Sequence, residues 1–135
     1  MEYNFKNIKY SSGGYGANKL CINIDVAGKC TIERYSTCNE LISSMTKEIE
    51  WSEKQYTLMQ KIVNITSEWN KAYYEPELCD GPEIEISIDD KNTYINSVSP
   101  SYYPKHYMKV IKYFNELIEF SGIHLKRDYY EISSL

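Results

Sequence analysis

The sequence predicts an α+β fold: a largely antiparallel five-stranded sheet with two helices packed on one face, in the order β-β-β-α-β-β-α. Three observations lead there. Leu20 to Val26 and Glu83 to Ile88 alternate apolar and polar residues with a period of two. The stretches after Ser52 and Pro104 repeat apolar residues at helical spacing. Glycine- and proline-bearing breaks separate these stretches. Two amphipathic helices on one sheet face would bury both apolar stripes. The chain has 135 residues, 42% of them hydrophobic, so one domain spanning 1–135 with a core of its own is expected.

Each element has its own signal. Tyr3 to Tyr10 alternates at both ends and slips once in the middle, which predicts a strand with a bulge. Ser11-Ser12-Gly13-Gly14-Tyr15-Gly16 reads as a breaker. Leu20 to Val26, the turn at Ala27-Gly28-Lys29 and Cys30 to Tyr35 complete a three-stranded meander. Thr37 to Lys47 fits a loop, a helical turn or a further strand running on to Trp51. Ser52-Glu53-Lys54-Gln55 matches a capping box, and Tyr56, Met59, Ile62, Val63, Trp69 and Tyr73 follow at helical spacing. That predicts a helix over 52–72. Tyr74 to Pro82 reads as a loop. Glu83 to Ile88 and Thr93 to Val98 form a hairpin about Asp89 to Asn92. Pro104 opens a second helix striped with Val110, Ile111, Phe114, Leu117 and Ile118, and Gly122 ends it. The tail from Leu125 is too short to assign.

Composition narrows the function. Fourteen tyrosines stand against three Phe and two Trp. This aromatic content argues against disorder. The apolar runs fall far short of the ~20 residues that span a bilayer, and Met1 to Lys6 lacks a secretory pattern. With Met1 as initiator, a cytoplasmic location is expected. Cys21, Cys30, Cys38 and Cys79 form no C-x-x-C pair, and neither histidine, His106 or His124, lies near a cysteine. Cys21 reads as a buried small hydrophobe, and the histidines as surface or helix-edge residues.

The net charge of −4 conceals an asymmetry. Residues 1–47 and 91–135 each carry 6 basic and 4 acidic side chains, whereas 48–90 carries 3 basic and 11 acidic ones, a local −8. Clustered charge of one sign speeds association with an oppositely charged partner. Glu68, Trp69, Tyr73, Tyr74, Glu75, Glu77 and Asp80 fall together in this segment. Tyr and Trp bury much area at low entropy cost and keep a polar handle. With Tyr15, they form the expected partner-binding set, facing a basic protein and neither nucleic acid nor membrane. A solvated helix face is the plainer reading of the same charges. No EF-hand loop, P-loop, G-x-S-x-G or H-E-x-x-H occurs, so no metal, cofactor or catalytic residue is expected.

Two resemblances bear on class. A strand ending in Ile8-Lys9-Tyr10-Ser11-Ser12-Gly13-Gly14-Tyr15-Gly16, a hairpin strand at Ile84 to Ile88 and a final helix over Pro104 to Ile118 resemble the emfourin-like family. That implies an inhibitor of thermolysin-like metalloproteases. In size, acidic charge, Lys/Asn/Ile/Tyr/Ser-rich composition and lack of catalytic motifs, the chain is similar to bacterial immunity proteins of contact-dependent growth inhibition and other polymorphic toxin systems. That implies an acidic surface masking the active site of a basic toxin domain, often a nuclease. A non-enzymatic immunity protein or inhibitor is therefore the leading expectation, the emfourin-like inhibitor the alternative, and a small hydrolase or ligand binder using the hairpin loop and Asp80 a third.

Overall fold

The first three strands form the expected meander. The computed structural model describes residues 6–14, 18–50, 52–78 and 81–133. Within them β1 (Asn7–Gly14), β2 (Lys19–Asp25) and β3 (Lys29–Tyr35) pair antiparallel in sequence order. Ile8, Tyr10 and Ser12 of β1, Leu20, Ile22 and Ile24 of β2, and Cys30 and Ile32 of β3 are all buried. The registers set Ile8 opposite Ile24, and Tyr10 opposite Ile22, so these residues share one face.

The sheet is larger than the five strands expected. It has seven, in the order β4-β3-β2-β1-β6-β7-β5. One added strand is β4 (Leu41–Glu48), in the segment that sequence left open among loop, turn and strand. Its residues are all exposed, so no buried periodicity marks it. The other is β5 (Ala72–Tyr74), which runs parallel to β7 (Lys91–Asn96) at the opposite edge. β6 (Pro82–Ile88) joins β7 to β1 through antiparallel pairing on both sides. The sheet is thus mixed, with one parallel pair.

β5 exists because α1 stops early. α1 covers Glu53–Thr66 rather than 52–72. The Thr66 hydroxyl donates back to the carbonyls of Ile62 (2.8 Å) and Val63 (3.2 Å), a bond that competes with helix continuation. Trp69 then turns inward, its indole N–H donating to the Lys105 carbonyl at 2.9 Å. At the N-terminus Ser52 and Gln55 bond each other through their side chains, and the Ser52 side chain caps no backbone amide. The reciprocal capping box is therefore not formed.

β1 also differs from expectation. The strand continues through Gly13 and Gly14, which pair with Glu83 and Pro82. Gly14 adopts φ +100, and a Cβ there would lie 2.6 Å from the Gly81 carbonyl oxygen. The glycine permits close approach of two chains and does not break the strand. Tyr3 to Phe5 lie outside the described residues. α2 (Tyr107–Leu117) begins one turn after Pro104, and a short 3-10 turn over Glu119–Ser121 leads to Gly122 at φ +75. The tail forms a separate hairpin, β8 (Ile123–Leu125) with β9 (Tyr130–Ile132).

Both helices cover the same sheet face. Leu58, Met59 and Ile62 of α1 and Val110, Ile111, Phe114 and Leu117 of α2 join the buried sheet residues in one hydrophobic cluster. The rings of Tyr10 and Phe114 meet at 5.8 Å between centroids. Among the described residues no helix is long and apolar enough to cross a membrane.

Candidate functional site

Among the described residues no helix covers the opposite sheet face. Strand alternation sends every second side chain there, and the registers order them into rows. One row runs Tyr94, Glu85, Ser11, Cys21, Glu33 and Ser44 across five antiparallel pairings. The next row contains Glu83 opposite Gly13, and Lys19 opposite Tyr35. Small residues Ser11, Gly13 and Cys21 therefore occupy the middle, and glutamate–tyrosine pairs stand on both flanks. Three strand spacings separate Glu85 from Glu33, about 14 Å. A groove of about 370 Å³ opens beside the Glu83–Tyr94 flank, floored by Ser11 and Gly13 and bounded by Glu83, Glu85 and Tyr94 and by Ser36 and Asn39 of the loop after β3; Glu33 and Tyr35 lie outside it.

Hydrogen bonds hold each flank. The Tyr94 hydroxyl donates to Glu83 Oε1 at 2.7 Å, and the Tyr35 hydroxyl to Glu33 Oε2 at 2.9 Å. The Tyr74 ring lies 5.5 Å from that of Tyr94. Partial burial, the bond to Glu83 and the charges of Glu83 and Glu85 push the Tyr94 phenol up to about 12. The bond to Glu33 is the first cause that raises Tyr35. Burial raises the Cys21 thiol; Lys19 opposes this, while Glu33 and Glu85 add to it. Both carboxylates thus act on Cys21, in the middle of this row. Among the described residues, neither Lys19 nor any other base lies within 4.0 Å of Glu33, Glu83 or Glu85; the ion pair found is Lys126–Glu131.

The expected partner-binding residues are scattered relative to this face. Trp69 is a correction: it is 5% exposed and stacks on Tyr107 at 6.2 Å, so it anchors the core. Tyr73 packs half-buried against the core, its hydroxyl accepting the Asn70 amide at 2.9 Å. Glu75 is occupied inside the fold. Its carboxylate accepts the Ser99 amide at 2.7 Å, and hydrogen bonding from the Ser99 side chain first, then from its amide, holds its pKa below the ordinary 4.5. Glu68 and Glu77 are exposed, and Glu77 sits at φ 66. Tyr74, 62% exposed, is the member that reaches the open face. Tyr15 and Asp80, like Cys79, lie outside the described residues.

The acidic segment also divides in space. Asp89 accepts the Lys6 and Asn7 amides at 2.8 and 2.9 Å and so fastens the β6–β7 turn to the start of β1. Glu83 and Glu85 instead meet Glu33, which comes from the net-positive first third of the chain. No protein-family model matches this chain, and no curated protein matches it. The reading of the site therefore rests on its geometry.

One further expectation is corrected here. Cys21 is half-buried on the open face, because Leu20, Ile22 and Ile24 take the inward phase of β2. Cys30 is the buried thiol of the pair. Tyr35, two residues on from Glu33 in β3, is likewise on the open face. The alternation E-I-E-I-S-I marks Glu83 and Glu85 as one face of a strand, and T-Y-I does the same for Tyr94. What sequence lacked was the strand order that brings Glu33 and Tyr35 to the same surface. Among the described residues no group of three or more His, Cys, Asp or Glu side chains is arranged to hold a metal ion.

Proposed function

We propose that this chain is a non-enzymatic protein-binding module, an immunity protein or inhibitor that neutralises a basic toxin or enzyme domain, and that the partner docks on the open sheet face. The observation that carries this reading is the pair of glutamate–tyrosine flanks around a floor of small residues, with carboxylates that have no intrachain counter-ion among the described residues. A protruding basic loop laid across the open face meets the Glu83–Glu85–Tyr94 flank at the groove and the Glu33–Tyr35 flank beyond it. The tyrosines supply contact area at low entropy cost, and the carboxylates supply steering and charge-assisted bonds. The hydroxyl bonds fix the flanks before the partner arrives, which lowers the ordering cost of association.

The test is calorimetric titration with the product of a toxin gene adjacent to the gene for this chain, at low and high salt. The proposal expects tight binding at low salt and a marked loss of affinity as salt rises. No binding at either salt concentration overturns it.

A further inference from the structure

The tail hairpin builds a second cleft, on the helix side of the sheet. β8 and β9 meet at a tight turn with Arg127-Asp128 at its tip, closed by the Lys126 amide donating to the Tyr129 carbonyl at 2.8 Å. α2 pins this hairpin. The Asn115 side chain accepts the Leu125 amide at 2.7 Å and donates to the Leu125 carbonyl at 2.9 Å. The Tyr107 hydroxyl donates to the Arg127 carbonyl at 2.7 Å. Arg34 Nε donates to the Tyr130 hydroxyl at 3.3 Å and so ties β9 to β3. Between the hairpin and the ends of β1 and β2 lies a cleft of about 360 Å³, lined by Ser12, Asn18, Asp128, Tyr129, Tyr130 and Ile132 among others. Ser12 shares the inward phase of β1 with Ile8 and Tyr10.

The charge in this cleft is unbalanced. Among the described residues, the half-buried Asp128 is the one charged group that lines it, and no basic group lies within 4.0 Å of its carboxylate. The guanidinium groups of Arg127 and Arg34 are turned to rings instead, 5.8 Å from the centre of Tyr103 and 5.9 Å from that of Tyr130. A second, independent observation lies behind Ser12. The Tyr10 hydroxyl is fully buried and has no hydrogen-bond partner among the described residues. Buried hydroxyls are seldom left so. Burial pushes the Tyr10 phenol up to about 12; Ser12, near but outside bonding geometry, opposes this, and Asp128 adds to it. The unpartnered hydroxyl is thus in range of two residues that line the cleft.

We infer that the cleft binds a primary ammonium group on a short alkyl stem. An ammonium offers three N–H donors. Asp128 takes its charge, and the side-chain oxygens of Ser12 and Asn18 are further acceptors. The stem lies on Ile132 and on the Tyr129 and Tyr130 rings, whose faces attract a cation. An anion of the same size meets Asp128 as its one charged neighbour and is repelled. The Tyr10 hydroxyl gains its missing partner from the bound group, directly or through a water. The bonds to α2 fix the hairpin before any ligand arrives, which lowers the ordering cost. Free alkylamines and lysine side chains carry the same group, and the experiment separates them.

The experiment is a titration of the full chain with n-butylammonium, followed by amide NMR shifts, with 1-butanol and butyrate as neutral and anionic probes of similar size. Saturable shifts at Ser12, Gly13, Asp128 and Tyr130 are expected with n-butylammonium in the millimolar range. The other two probes are expected to bind about tenfold more weakly or worse. Asp128→Asn keeps the shape and is expected to raise the dissociation constant by about tenfold or more, with circular dichroism melting to confirm that it folds. Nα-acetyl-lysine N-methylamide is the last probe. Binding at least as tight as n-butylammonium assigns the site to a protein lysine, weaker binding assigns it to a free amine, and both support the inference. No saturable shift with n-butylammonium, equal shifts with all three butyl probes, or an Asp128→Asn chain that binds like wild type each overturn it. None of these outcomes bears on the partner site of the open face.

Discussion

The two faces of the same sheet do different work. The helix-covered face is built almost wholly from Ile, Leu and aromatic residues at full burial, and the buried polar residues of the core are the small Ser12, Thr66, Thr93 and Ser97. The open face carries Glu, Lys, Ser and Tyr on the same strands, one residue out of phase. The first face is explained by folding. The second is not: a solvated face needs no glutamate–tyrosine pairs on both sides of a small-residue floor. The difference teaches that strand pairing, and not closeness in sequence, decides which acidic side chains share a surface. The −8 segment is divided among a helix, a loop, a turn and a strand, while Glu33 comes from outside it.

Substitutions on the two faces should therefore separate stability from binding. The largest stability effect is expected from Trp69→Ala. It removes the ring stacked on Tyr107 and the bond to Lys105, at a cost of about 3–5 kcal/mol in denaturant unfolding. On the open face, Tyr74→Ala should weaken partner binding by about 1–2 kcal/mol while shifting unfolding by no more than about 0.5 kcal/mol. Equal losses in both measurements would erase the distinction between the faces. Tyr94→Phe keeps the ring and removes the bond to Glu83, so a loss of about 0.5–1.5 kcal/mol in binding is expected, with the melting temperature little changed.

The smallest effect concerns pH. The folded pKa of Glu75 lies below 4.5 because its ionised form accepts hydrogen bonds from the Ser99 side chain and amide. Its contribution to stability is therefore present above 4.5 and is lost as pH falls through the folded value. Glu75→Gln should melt below wild type near neutrality and converge with it in acid. A constant difference across the whole range would show that the bond to Ser99 does not depend on charge.

Much of the core could be read from periodicity. Ile8, Tyr10, Leu20, Ile22, Ile24, Ile84 and Ile86 fall in phase along their strands, and Val110, Ile111, Phe114 and Leu117 share a helical stripe. Elements without a buried phase escaped that reading. β4 has no inward residue at full burial, β5 is three residues long, and the final hairpin pairs three residues with three. Trp69 fitted the apolar spacing of α1 but lies past its end, because the Thr66 back-bond and the inward turn of the chain are tertiary effects. The acidic, tyrosine-bearing surface proposed above joins residues far apart in sequence, which a reading of sequence neighbours does not bring together. Tyr74 is the residue common to both readings. Its partners Tyr94, Glu83 and Glu85 required the register of β5, β6 and β7.

The most direct test of the central claim compares two charge reversals of equal size. One places Glu83→Lys and Glu85→Lys on the open face; the other places Glu68→Lys and Glu119→Lys away from it. Association rates with the basic partner are measured by stopped flow against ionic strength. The account predicts that the open-face pair slows association by about tenfold or more at low salt and flattens the salt dependence, while the control pair stays near wild type. Equal slowing by both pairs would mean that only total charge matters, and would contradict the assignment of the open face as the docking surface.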